Sequence, residues 1–147
     1  GSGFPIRVIG ASGTGVVIDI GQRADVECDG TNVYRAVSYG WKPLVGDSTA
    51  RAIVAEDAGR ILLHPSADTT ARTWTIPANG SVPFPVGTVI RFVNQNGAGV
   101  ITIAITTDTM RLAGAGTTGS RSLAANGVAE AIKVSATEWI ISGTGLT

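Results

Sequence analysis

The chain has 147 residues, enough for one domain or two small ones, and enough to bury a core without help from metals or disulfides. Eleven basic residues balance eleven acidic ones, which speaks against an electrostatic footprint for nucleic acid or an anionic membrane. Charged residues make up 15% against 44% hydrophobic ones, no apolar run approaches a membrane-spanning helix, and the single cysteine, Cys28, allows no intrachain disulfide.

Along the chain, Gly1-Ser2-Gly3 reads as a leader or cloning remnant and is set aside. Residues 4–39 carry four β-rich runs, Ile6–Ile9, Gly15–Ile20, Ala24–Cys28 and Val33–Ser38, with Asp29-Gly30 as a hairpin turn. Within the third, Cys28 reads as a small buried hydrophobe rather than a reactive thiol. Residues 40–56 break the pattern with Trp41, Pro43 and Gly46 and read as a connector. The one helical hint, Ala50–Glu56, contains β-branched Ile53 and Val54, which favour a short strand or turn.

Residues 57–147 return to β patterning. Strands are expected at Arg60–His64, Thr73–Ile76, Val89–Asn94, Val100–Ile105, Met110–Leu112, Ser122–Leu123, Val128–Val134 and Glu138–Ser142. Alternation in Ile101-Thr102-Ile103-Ala104-Ile105 turns one face to a core and leaves the other free. Asn79-Gly80 and Asn126-Gly127 accept the positive φ that tight hairpins require. The expected fold is therefore all-β: an antiparallel, jelly-roll-like β-sandwich of about eight strands over 57–147, preceded by a smaller partial β-unit.

An internal echo supports the two-unit reading. Ile6-Arg7-Val8-Ile9 precedes Gly13-x-Gly15-Val16-Val17, and Ile90-Arg91-Phe92-Val93 precedes Gly97-x-Gly99-Val100-Ile101 at the same spacing. Such recurrence suggests two copies of one β-unit, the first of them incomplete.

Three stretches carry a resemblance. Asp57-Ala58-Gly59 followed by Leu62-Leu63 and Thr75-Ile76-Pro77, then Pro85-Val86-Gly87-Thr88 with Ile90, Phe92 and Asn94-Gln95, and finally Trp139 with Gly143, resemble a module of bacteriophage and prophage tail proteins. The likeness covers residues 57–147, and residues 10–36 resemble a related phage module. What it implies is a β-sandwich near the end of a tail fibre or tip, within the virion and made in the host cytoplasm. It further implies a homotrimer packed against other virion appendage proteins, with host-surface glycan or protein contact in some members. No catalytic residue or cofactor is implied.

The residues themselves offer little chemistry. His64 is the single histidine, and a Ser-His-Asp constellation with Ser66 and Asp68 is not expected from positions two and four apart on an extended chain. One His and one Cys give no metal-ligand spacing. The eleven carboxylates show no glycosidase pairing, and at 5% the aromatics are too few for a sugar-lined cleft. Gly10–Gly15 and Ala113–Ser120 lack the lysine or following helix of a phosphate loop. Trp74 and Trp139 read as core. An exposed recognition surface, if present, is placed at Tyr39 and Trp41 and at Thr117, Thr118, Ser120 and Arg121 in the small-sided loop. The expectation is a non-enzymatic structural module without cofactor, metal or nucleic-acid partner and without membrane insertion. The alternative is a carbohydrate-binding module whose main work is glycan recognition.

Overall fold

The computed structural model describes residues 44–147 in full and, before them, the backbone of four strands: β1 (Ile6–Val8), β2 (Val16–Ile18), β3 (Val26–Cys28) and β4 (Val33–Arg35). The chain divides into two compact units, Gly1–Trp41 and Lys42–Thr147. In the first unit β1 pairs antiparallel with β2, and β3 antiparallel with β4. The Asp29-Gly30 turn thus falls between paired strands, although its own residues lie outside those described.

The second unit contains β5 (Leu44–Gly46), β6 (Arg51–Ala52), β7 (Ile61–His64), β8 (Arg72–Ile76), β9 (Val89–Asn94), β10 (Ile101–Ile105), β11 (Thr109–Leu112), β12 (Arg121–Ser135) and β13 (Glu138–Leu146). Helical structure among the described residues is confined to a 3₁₀ turn at Ala55–Asp57, so the all-β expectation holds. Two of the strands, β5 and β6, lie in the stretch read as a connector, which accordingly contributes edge strands to the sheet of this unit.

The pairing is mixed rather than antiparallel throughout. From Leu44 the chain deals its strands alternately to two parallel sets, β5-β7-β9 and β6-β8-β10. Each return to a set passes through the other, so successive members arrive running the same way, as crossover connections require. Turn residues cannot announce this, because Asn79-Gly80 closes a loop between strands of different sets and not a hairpin.

Strand β12 joins the sets. Its residues 121–123 pair antiparallel with β10, and residues 128–132 pair antiparallel with β9. The change of partner occurs at Asn126-Gly127, where Asn126 adopts φ 63° and the register against β13 shifts between Leu123 and Val128. The Asn-Gly pair read as a hairpin is thus a bulge inside one long strand, and it re-aims the strand from one set to the other. On its far edge β12 pairs antiparallel with β13, which pairs parallel with β11.

The sequence echo does not recur as structure. Strands β1 and β2 pair with each other, whereas β9 and β10 flank β12 and pair with it separately. Matching aliphatic runs record a shared strand propensity, not a shared topology.

One core fills the second unit. Leu62, Trp74, Ile76, Ile90, Phe92, Ile101, Ile103, Met110, Leu123, Trp139 and Ile141 have no exposed surface, and they come from both parallel sets and from β11, β12 and β13. Alternation does the sorting, as β9 shows with Ile90, Phe92 and Asn94 buried and Arg91 exposed. Aromatic pairs knit the layers: Trp74 lies 6.2 Å from Phe92 at a 32° tilt, and Phe84 meets Trp139 edge-on at 5.6 Å. Outside, Arg91 Nε donates to Glu130 Oε2 at 2.7 Å between half-exposed side chains. Arg91→Ala is expected to change the unfolding free energy by less than about 1 kcal/mol in urea titration.

Candidate functional site

Two places gather polar side chains of the kind function needs: an exposed loop face and a buried network around His64.

The loop face is built by β11 and the chain that follows it. Residues 113–120 fold back on β11, with Leu112 N–H donating to Thr117 O at 2.9 Å and Gly119 N–H to Met110 O at 3.0 Å. This return needs φ 120° at Gly119, a conformation closed to residues with a Cβ. Arg111 Nη1 donates to Gly116 O at 3.0 Å and clamps the tip. Ala113 to Thr118 are all exposed. Between this loop and the 105–109 turn lies an open depression of about 270 Å³, walled by Ile105, Thr106, Asp108, Thr109, Met110 and Thr118–Ser120.

The residues expected for recognition take different parts in this face. Thr118 and Ser120 line the depression, and Ser120 Oγ accepts the Ile105 N–H at 3.2 Å. Thr117 is exposed beside it. Arg121 is turned inward: Nη2 donates to Thr117 O and, at 3.0 Å, to Thr117 Oγ1, while Nη1 donates to Ser120 O at 3.3 Å. Its guanidinium therefore braces the loop. Tyr39 and Trp41 lie outside the described residues, as do the side chain of Cys28 and the Gly10–Gly15 stretch. Asp108 was not singled out by sequence, and the signal available was the Thr106-Thr107-Asp108-Thr109 run of short polar residues. The face presents hydroxyls and one largely buried carboxylate around an open hollow, which suits shallow hydrogen bonding to a polar ligand.

The second cluster surrounds His64, whose ring is fully buried. Pro65–Asp68 form a turn, closed by Asp68 N–H donating to Pro65 O at 3.0 Å. That turn brings Asp68 Oδ2 to 3.0 Å from His64 Nε2, so the pairing not expected of an extended chain does form. The other ring nitrogen, Nδ1, lies 3.0 Å from Asn94 Oδ1 and 3.2 Å from Gly99 O. Asn94 in turn donates from Nδ2 to Gly99 O at 2.9 Å and Leu123 O at 3.0 Å, tying β9 to β12. Arg72 donates to both oxygens of Asp68, at 2.7 and 3.2 Å. Trp74 meets the imidazole edge-on at 6.0 Å.

A catalytic histidine needs a nitrogen turned toward a nucleophile or substrate. Here both nitrogens face internal acceptors, and the nearby Ser66 is exposed, with its backbone N–H donating to Gln95 Oε1 at 2.9 Å. The network is a buried fastener linking the turn, β7, β8 and β9. Among the described residues no group of three or more His, Cys, Asp or Glu side chains is disposed to hold a metal ion.

The Arg72 guanidinium, and then the His64 ring, hold the Asp68 carboxyl well below the usual carboxylate range. A carboxyl so depressed stabilises the fold above its unfolded pKa of about 3.9, and that contribution is lost as pH falls below it. The melting temperature is therefore expected to drop on going from pH 7 to pH 3, with a shallower drop in Asp68→Asn, read by circular dichroism. Equal slopes in the two proteins would contradict this.

Compared with protein-family profiles, curated proteins and solved structures, the chain matches none.

Proposed function

We propose that this chain is a non-catalytic structural module of a bacteriophage tail appendage, a fibre or tip, that holds exposed loops at fixed positions. The observation that carries the reading is the work done by the residues of the tail-protein resemblance. Leu62, Ile76, Ile90, Phe92 and Trp139 pack the core. Asp57 is buried, accepting from the Val54 N–H at 3.0 Å and from Arg51. Asn94 fastens two strands. The resembling residues serve rigidity, and rigidity is what an appendage module has to supply.

Self-association belongs to the same proposal. Val128 and Val134 are 50% and 41% exposed on the outward face of β12, on either side of the Arg91–Glu130 pair, and a neighbouring copy would cover them. A trimer would present three copies of the Thr117–Ser120 face, and weak contacts to host glycan or protein would add through effective concentration. Localisation in the virion, after synthesis in the bacterial cytoplasm, follows from this reading.

The test is immunogold labelling of phage particles from the source bacterium with antibodies against the purified chain. Gold on the tail or its fibres is expected, and particles without label on any appendage would count against the proposal. Light scattering is expected to give a mass above the monomer at micromolar concentration. The second reading, a carbohydrate-binding module, is favoured by the hydroxyl-lined depression. It predicts glycan binding on an array that Thr118→Ala or Ser120→Ala in the wall of the depression weakens, whereas shortening of host polysaccharide by the pure chain would point to an enzyme.

A further inference from the structure

Lys133 is a cation in an unusual place. It lies on the core-facing side of β12, in line with Ala129 and Ala131, and is 1% exposed. Its Nζ donates to Asn79 Oδ1 at 2.6 Å and sits 5.6 Å from the centre of the Trp139 ring, and neither neighbour carries a charge. No ion pair joins it to a carboxylate among the described residues. Lysine is rarely buried in this way unless paired. Phe84 packs edge-on against the same Trp139 ring, and the 77–88 loop is tied to Lys133 by Gly87 N–H donating to Lys133 O at 2.8 Å and Lys133 N–H to Thr88 O at 2.9 Å. Asp108, 8% exposed, accepts the backbone N–H of Asn79 at 3.0 Å through Oδ2.

We propose that Lys133 and Asn79 form an intramolecular isopeptide bond, so that the 77–88 loop is covalently joined to β12. The contact already holds the reactants together. With a carbonyl bond of about 1.2 Å, Asn79 Cγ lies no farther than about 3.8 Å from Lys133 Nζ, close to the separation of a near-attack pair. The lone pair of the deprotonated Nζ attacks Cγ. The new Nζ–Cγ bond forms, the carbonyl π pair moves to Oδ1, and Nζ gives up a proton. When the tetrahedral centre collapses, the Cγ–Nδ2 bond breaks and Nδ2 leaves with that proton as ammonia. An amine and a primary amide become a secondary amide and ammonia, with no oxidant, reductant or cofactor. Asp108, which accepts the Asn79 backbone N–H through Oδ2, holds the acceptor residue in place, and the proton passes from Nζ to the departing Nδ2. Attacker and target are 54 residues apart, so the link closes a long loop and restricts the unfolded chain.

The test is intact-mass and tandem mass spectrometry of the full chain after incubation at neutral pH. The expected mass is lower than the sequence mass by one ammonia, with a branched peptide joining positions 79 and 133 and no tryptic cleavage after Lys133. Asn79-Gly80 can also lose ammonia by closing a succinimide on its own backbone, which leaves Lys133 free. Lys133→Met blocks the cross-link and leaves the succinimide route open, Asn79→Leu blocks both at this position, and circular dichroism verifies that each is folded. The proposal expects the branched peptide in wild type and in neither variant. A wild-type chain without the branched peptide, whether at full mass or with its ammonia loss mapped to a succinimide at one of the Asn-Gly pairs 79-80, 96-97 or 126-127, overturns it. Because the readout on wild type is direct, an unfolded variant does not leave the question open.

Discussion

Trp74→Ala is expected to destabilise the second unit by about 3–5 kcal/mol, the range for removing a fully buried large aromatic. The indole packs against Phe92 and against the edge of His64, so its loss opens a void between the two parallel sets. It also frees the start of the unit. Trp74 Nε1 donates to Thr49 O at 2.9 Å, which tethers the stretch between β5 and β6, and β6 itself pairs with β8 beside Trp74. For a unit of this size the loss translates into a melting temperature roughly 10–20 °C lower. Hydrogen exchange is expected to accelerate first at Ala52 and Ile53. The smaller change Trp74→Phe should still cost about 1–2 kcal/mol, since the Thr49 carbonyl loses its donor. Trp139→Phe should cost less, because Trp139 Nε1 is buried with no hydrogen-bond partner to lose. A Trp74→Ala chain melting within two or three degrees of wild type would show that the two sets do not share a core.

Gly143→Ala is expected to be comparably damaging for a different reason. Gly143 faces Ala129 directly across the β12–β13 ladder, and a Cβ there would stand 2.2 Å from Val128 O and 2.7 Å from Ala129 Cα. Both atoms belong to backbone already committed to pairing, so no side chain can rotate away. The strands must part, and overpacking of this kind is expected to cost about 3 kcal/mol or more. Gly46→Ala supplies the comparison: a Cβ at that position meets nothing within 4 Å, and its effect should stay within about 0.5 kcal/mol. Urea denaturation with a common slope reads both values. A neutral Gly143→Ala would mean that β13 does not lie against β12 as described.

These two expectations also explain what was legible from residues alone. Ile101-Thr102-Ile103 was readable because strand alternation is a local property, and β10 spans Ile101–Ile105 with Ile101 and Ile103 buried. The Val89–Asn94 strand was read to its ends for the same reason. The role of Gly143 was not readable, since it depends on which backbone lies opposite. Nor was the Pro65–Asp68 turn, whose closure hands His64 the carboxylate that the intervals in sequence argued against.

The sequence by itself determined the class: β-branched and aliphatic runs punctuated by Gly, Asn and Pro, with reactive side chains few and far apart. It also marked the Ala113–Ser120 loop as small-sided and exposed, and in the fold all of it but Gly119 is exposed. Only the tertiary structure decided the partners. That β5, β7 and β9 run parallel, that Asn126 is a bulge and not a hairpin, and that Lys133 meets Asn79 across 54 residues all depend on long-range pairing. Local propensity acts over a few residues through backbone sterics and turn chemistry. Strand order and side-chain encounters are settled by the burial of one shared core, and nothing in any short segment encodes which distant segment will lie beside it.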